Sequence, residues 1–130
     1  MIYLASPYSH PDPAVRQQRY ASACQATAAL LRQGCMVVSP IVNSHPLVAH
    51  GLPADWSFWQ RYDQEIMTHC DGLAVLTLDG WQESCGVQAE IDLAAELGIP
   101  IDYLSPEIIS KSSGGLTSIS ERPLSQEISI

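Results

Sequence analysis

The chain has 130 residues, 46% of them hydrophobic and 15% charged, and six Lys and Arg against fourteen Asp and Glu give a formal net charge of −8. This length suits one domain with a real core rather than two. The acidic balance argues against a nucleic-acid polymer as partner, because phosphate-backbone affinity needs a dense basic surface, whereas a single nucleotide stays open, since N–H groups at a helix mouth can hold one phosphate.

The opening run "MIYLA" (1–5) predicts a buried central strand. "SPYSHPDP" (6–13) is turn material in which Asp12 and Pro13 supply an N-cap and a first-turn proline. A helix follows from Pro13 to Gln33, with Val15, Cys24, Ala28 and Leu31 expected near one face and Gly34 as its stop. "CMVVSP" (35–40) predicts a second buried strand, and "IVNSHPLVAHGLP" (41–53) a long loop of the kind that often forms part of a site. Asp55 is placed to cap a further element, "WSFWQRYDQEIMTHC" (56–70). "GLAVLTL" (72–78) is the third strand, residues 79–98 are a loop handing over to a helix, and "IPIDYL" (99–104) is the fourth strand. From Ser105 onward the chain turns rich in Ser and Gly, and 105–130 is expected to be a tail, poorly ordered or ordered only against a partner subunit.

Apolar strands alternating with helices predict a parallel sheet covered on both faces, a small doubly wound α/β domain of four to five strands over residues 1–104. The ligand is then expected at the carboxyl ends of the strands, where the loops hold Ser6, Tyr8, Asn43, His45, Asp79 and Ser84. Cys24, Cys35, Cys70 and Cys85 are far apart and form no C-x-x-C pair, so free, mostly buried thiols in a reducing cytoplasm are expected. His45 and His50, without a partnering carboxylate or Cys motif, are a poor metal signal, and no metal or other cofactor is expected. No apolar run approaches a membrane span and no secretory signal opens the chain, which predicts a soluble cytoplasmic protein away from membranes.

One acid stands out. At about 100° per residue, Val87, Ile91, Ala94 and Leu97 fall on one side of their helix, and Glu90 projects inside that arc while Asp92 and Glu96 point away. Topology brings Glu90 toward Tyr3 on the first strand and Asp63 on the helix before the third. A helix N-terminus favours the ionised carboxylate and apolar neighbours disfavour it, so a group caught between them is a candidate nucleophile or general base. In glycoside chemistry such a carboxylate attacks the anomeric carbon while a second acid assists the leaving group, and no metal is needed.

Each residue also has a plainer reading. Glu90 could merely complement the helix dipole, Asp63 could be solvated and paired with Arg61 or Gln64, and Tyr3 could be a packed ring with its hydroxyl satisfied. Ser84 could be only an N-cap, Asp79–Gly80 only a turn, and Arg16 and Arg19 only surface salt-bridge partners. Trp56, Phe58 and Trp59 read chiefly as core or subunit contacts, with base stacking as the minor alternative.

Three blocks, "IYLASPYS", "RYDQEIMTHCDGLAVL" and "ESCGVQAEIDLA", resemble the motif blocks of the nucleoside 2-deoxyribosyltransferase superfamily, which includes 2'-deoxynucleoside 5'-phosphate N-hydrolases. The resemblance spans about residues 1–104 and is closer to a branch sharing "ASPYSH", "SHP" and "DGW…S…G…E". It implies a flavodoxin-like or Rossmann-like fold and cleavage or transfer of the N-glycosidic bond of a 2'-deoxyribonucleoside or its 5'-monophosphate. By position it implies Glu90 as nucleophile, with a covalent deoxyribosyl intermediate. Asp63, eight residues before Asp71, matches the acid that positions or protonates the reacting groups, and Tyr3 matches the tyrosine beside the nucleophile. Ser84, six residues before Glu90, matches a 5'-phosphate contact of the hydrolases, with Gly86 allowing close approach. Ser6, Tyr8, His45 and Asp79 complete the expected substrate-binding set, and a homo-oligomer is implied.

The chain departs from the superfamily at Ser6, where Gly often stands, and in a longer segment between Asp71 and Glu90 that carries Trp81. Its Ser-rich end offers no clear counterpart to the residues that the transferases borrow from a neighbouring subunit. Two further readings are a non-catalytic module for a nucleotide-derived ligand and a structural homo-oligomer, since one fold hosts many functions.

Overall fold

The structure is a computed structural model and describes residues 1–110. Four strands, β1 (Ile2–Ala5), β2 (Val37–Val38), β3 (Gly72–Leu76) and β4 (Ile101–Leu104), form one sheet in the order β2-β1-β3-β4. Every pairing is parallel, and Tyr3 sits between Val38 and Leu73. The helices are α1 (Pro13–Arg32), α2 (Pro40–Val48), α3 (Trp56–Met67), α4 (Cys85–Leu97) and α5 (Glu107–Ser110). This is the small doubly wound α/β fold expected, with four strands.

Because side chains alternate along a strand, β1 feeds two cores. Ile2 and Leu4 join Ala26, Ala29, Leu30, Ala74, Leu76 and Ile108 on the face covered by α1 and α5. Tyr3 and Ala5 join Met67, Leu73, Val75, Val87 and Ala94 on the face covered by α3 and α4. The chain leaves β1 on one side for β2 and passes back across it to β3, so the loops after β1 and β3 diverge. That divergence opens a crevice at the carboxyl ends of the strands.

Several local expectations are corrected. The buried side of α1 is Ala23, Ala26, Ala29 and Leu30, whereas Leu31 is 46% exposed. The second half of α1 is apolar almost all round, so periodicity does not select a face, and the small alanines are what let the helix lie close to the sheet. Much of the predicted loop 41–53 is helix α2, opened by Pro40 in its first turn, where a missing N–H is harmless, and carrying Pro46 near its far end. Asp55 occupies the cap position of α3 without bonding the helix backbone; its carboxylate accepts from the Ser57 hydroxyl instead.

Other ends follow the sequence. Asp12 accepts from Ala14 N at 2.9 Å to cap α1, and Gly98, at φ +73°, closes α4 in the left-handed conformation. Within residues 105–110, expected to open the tail, Glu107–Ser110 form α5 and Ile108 is buried in the core. The rest of the expected tail, 111–130, lies outside the described residues. No helix among the described residues is long and apolar enough to cross a membrane. All four cysteines are free, with Cys85 exposed.

Candidate active site

Glu90 lies in the second turn of α4, on the same face as buried Val87 and Ala94, and is only 7% exposed. It points at β1, where the wholly buried Tyr3 donates its phenolic proton to Glu90 Oε2. Asp63 enters from α3 between the buried Trp59 and Met67 and is 8% exposed. Three acidic groups from three elements thus meet behind the crevice, and among the described residues neither carboxyl has a salt-bridge partner.

Burial dominates their electrostatics, because a low-dielectric site disfavours the charged form of an acid. It lifts Asp63 to about 7. Glu90 is lifted to about 8, first by burial and further by the Asp63 charge, against the opposing pull of the Tyr3 hydrogen bond. Tyr3 is held well above its ordinary value by burial and by the negative charge of Glu90 and Asp63, so it stays a donor. Desolvated carboxyls kept close to neutral pH are what nucleophilic and acid–base chemistry requires.

In front of the acids lies a cavity of about 230 Å³. Its walls come from Ser6 and Tyr8 after β1, Ser44 on α2, Trp56 and Trp59 on α3, and the start of α4. Two lining atoms, Ser6 Oγ and Asp63 Oδ1, are buried with no hydrogen-bond partner. Leaving such a group unpaired costs about 1–3 kcal/mol, so both are open to bonds supplied by a bound molecule or by water.

Of the residues expected at the site, Glu90, Asp63, Ser6, Tyr8, Ser84 and Gly86 line this cavity, with Tyr3 directly behind Glu90. Ser84 caps α4 by accepting from Val87 N at 3.2 Å. Space beside Gly86 is limited by Trp56, whose ring lies 3.2 Å from where a Cβ would stand.

His45 and Asp79 are not brought to the wall. His45 sits behind Tyr8, and Asp79 is exposed, with its carbonyl accepting from Arg19 at 3.3 Å. Asn43 is exposed on α2, likewise off the wall. Arg16 and Arg19 make no salt bridges in the described chain; they donate to backbone carbonyls, Arg16 to His10 and Arg19 to Ser9 and Asp79. Arg19 thereby ties the loop after β1 to the loop after β3, and Gly80 beneath it, at φ +89°, takes a left-handed conformation in which a Cβ would stand 2.7 Å from the guanidinium.

Sequence reasoning did not anticipate Ser44 as a wall residue, and gave Trp56 and Trp59 a place at the site only as the minor base-stacking alternative. Ser44 was hidden in an apparent loop, while the aromatic spacing of α3 was the available signal for the tryptophans. Among the described residues no three His, Cys, Asp or Glu side chains stand together as a metal-ligand set.

Residues 1–105 match the family model described as "Domain of unknown function (DUF1937)". No curated protein matches the chain.

Proposed function

The chain belongs to the DUF1937 family, and we propose that it cleaves or transfers the N-glycosidic bond of a 2'-deoxyribonucleoside or its 5'-monophosphate, as the resemblance of its motif blocks to the nucleoside 2-deoxyribosyltransferase superfamily implies. One observation carries the reading: the buried Tyr3–Glu90–Asp63 cluster at the back of a cavity of about 230 Å³. That volume suits a compact ligand.

Glu90, ionised, attacks C1' of the sugar. The C1'–N bond breaks, its electron pair leaves with the base, and a proton from Asp63 completes the neutral leaving group. Water, or a second base, then attacks C1', gives its proton to the Asp63 carboxylate, and releases the Glu90 carboxylate, which restores both acids. Tyr3 fixes one Glu90 oxygen and leaves the other for the sugar. The Trp56 and Trp59 rings offer apolar surface to a base.

Support for a 5'-phosphate comes from the start of α4, where free N–H groups and the helix dipole favour an anion. Ser84 accepts from Val87 N as a cap, and its hydroxyl proton remains to be donated to a phosphate oxygen. Phe58 and Tyr62, 48% and 45% exposed on α3, are apolar surface that suits the homo-oligomer included in this reading.

The test is incubation of the protein with a panel of 2'-deoxynucleosides and their 5'-monophosphates, followed by assay of free base. Base release that vanishes in Glu90→Ala is expected. A ligand bound saturably but recovered intact would make the site a binding module instead.

A further inference from the structure

Tyr8 lines the cavity, and its hydroxyl lies 2.7 Å from His45 Nδ1. The other ring nitrogen of His45 lies 2.9 Å from Gln17 Oε1. Tyr20 stacks on the imidazole with centroids 4.2 Å apart and planes at 22°, while Tyr8 meets its edge. The ring is thus held by α1 through Gln17 and Tyr20, carried by α2, and aimed at the loop after β1.

The direction of this chain of bonds follows from what each atom can do. An amide oxygen only accepts, so the proton toward Gln17 belongs to His45 Nε2. Burial, and then the nearby Arg16 charge, lower the pKa of His45, which keeps the ring neutral. A neutral ring protonated at Nε2 presents a bare lone pair at Nδ1. The Tyr8 proton goes there, and the phenolic oxygen, beside which Arg16 already acts as a donor, is left with only lone-pair density to offer a ligand.

We propose that His45 is a positioning residue that never touches the ligand but fixes Tyr8 Oη as a hydrogen-bond acceptor, so that a ligand must present a donor, a sugar hydroxyl, at this wall. Gln17, exposed on α1, sets the polarity from outside the cavity. The hydroxyl assignment rests on the glycosidase reading; the proton assignment does not.

Long-range 1H–15N NMR on the full-length protein labelled at histidine reads which nitrogen carries the proton, with a His45→Gln sample to assign the signal. Protonated Nε2 with bare Nδ1 is expected at pH 7.5. A proton on Nδ1, or a doubly protonated ring, overturns the proposal whether or not any base is released.

On the enzyme, Gln17→Leu removes the anchor and is expected to raise KM about fivefold at constant kcat, the scale of one hydrogen bond. Gln17→Glu keeps an acceptor but adds a charge that favours the protonated ring, so it restores the wild-type KM at high pH, where His45 is neutral, and not at low pH. A Gln17→Leu protein that loses thermal stability but keeps its KM shows a merely structural contact and sinks the idea. Failure to release base from every substrate would sink the glycosidase reading and the sugar-hydroxyl assignment with it, leaving the NMR result to decide the proton chain.

Discussion

At the scale of single residues, the two carboxyls constrain each other. The proposed reaction needs Glu90 ionised and Asp63 protonated, so the active pair carries one negative charge. The Tyr3 hydrogen bond pulls that charge toward Glu90, yet with the bond included Glu90 still titrates above Asp63, so the active arrangement is the less populated of the two singly charged forms. With the carboxyls lifted to about 7 and about 8, the pair loses its first proton near the lower value and its second near the upper. A plot of kcat/KM against pH is therefore expected to peak between about 7 and 8 and fall on both sides. Asp63→Asn removes the alkaline limb and leaves the acidic limb at or slightly above its wild-type position, because Asp63 is already uncharged when the pair loses its first proton. Tyr3→Phe moves the acidic limb up, since a bond that lowers the Glu90 pKa is gone, and reduces kcat by about 10²-fold, at the lower end of what positioned acid–base groups contribute. Glu90 was legible because helical spacing alone turns it inward. Asp63 was reached only through topology and the motif match, since Arg61 and Gln64 beside it suggest a solvated face, and burial by Trp59 and Met67 is a tertiary fact. The role of His45 depends on Gln17 and Tyr20, far from it in sequence, and no local pattern announces that.

At the scale of elements, the start of α4 joins stability to binding. Ser84→Ala removes a cap bond and is expected to destabilise the protein by about 1 kcal/mol. If the hydroxyl also donates to a phosphate, the same change raises KM for a 5'-monophosphate more than for the matching nucleoside, which steady-state kinetics on the two substrates would resolve. Gly86→Ala pulls the other way. Alanine favours helix by up to about 1 kcal/mol, but its Cβ meets the Trp56 ring at 3.2 Å. The ring borders the cavity and has room to yield, so thermal stability should stay within about 1 kcal/mol of wild type while KM rises several-fold. The order of strands and helices was readable because each strand is a short apolar run closed by turn residues. The inner face of α1 and the existence of α2 were not. An alanine-rich helix has no sharp stripe, and Pro40, Asn43 and Pro46 read as loop until one sees that Pro40 falls in a first turn, where proline fits.

At the scale of the molecule, the fold carries its acids as a strain that depends on pH. A doubly wound sheet buries both faces of β1, and the crossing from β2 to β3 places α3 and α4 together on one of them, so Asp63 and Glu90 are desolvated by the same packing that forms the core. Unfolding returns them to water, where they titrate near their ordinary values of 3.8 and 4.5. Between those values and the folded ones of about 7 and 8, the native chain holds more protons than the unfolded chain. Stability contributed by these groups is therefore full below about pH 4 and falls as the pH rises through 7 and 8. At about 1.4 kcal/mol per pH unit, these shifts correspond to a loss on the order of 7 kcal/mol between pH 5 and pH 9, comparable to the roughly 5–15 kcal/mol typical of a domain. Thermal melts across that range would show it as a falling Tm, by roughly 4 °C per kcal/mol. The double variant Asp63→Asn/Glu90→Gln keeps the shapes and the Tyr3 bond but cannot ionise, so its Tm should vary much less with pH and exceed that of the wild type at pH 9. Parallel melting curves for the two proteins at every pH would mean that these carboxyls already reach water in the folded state, and the desolvated nucleophile would fall with them.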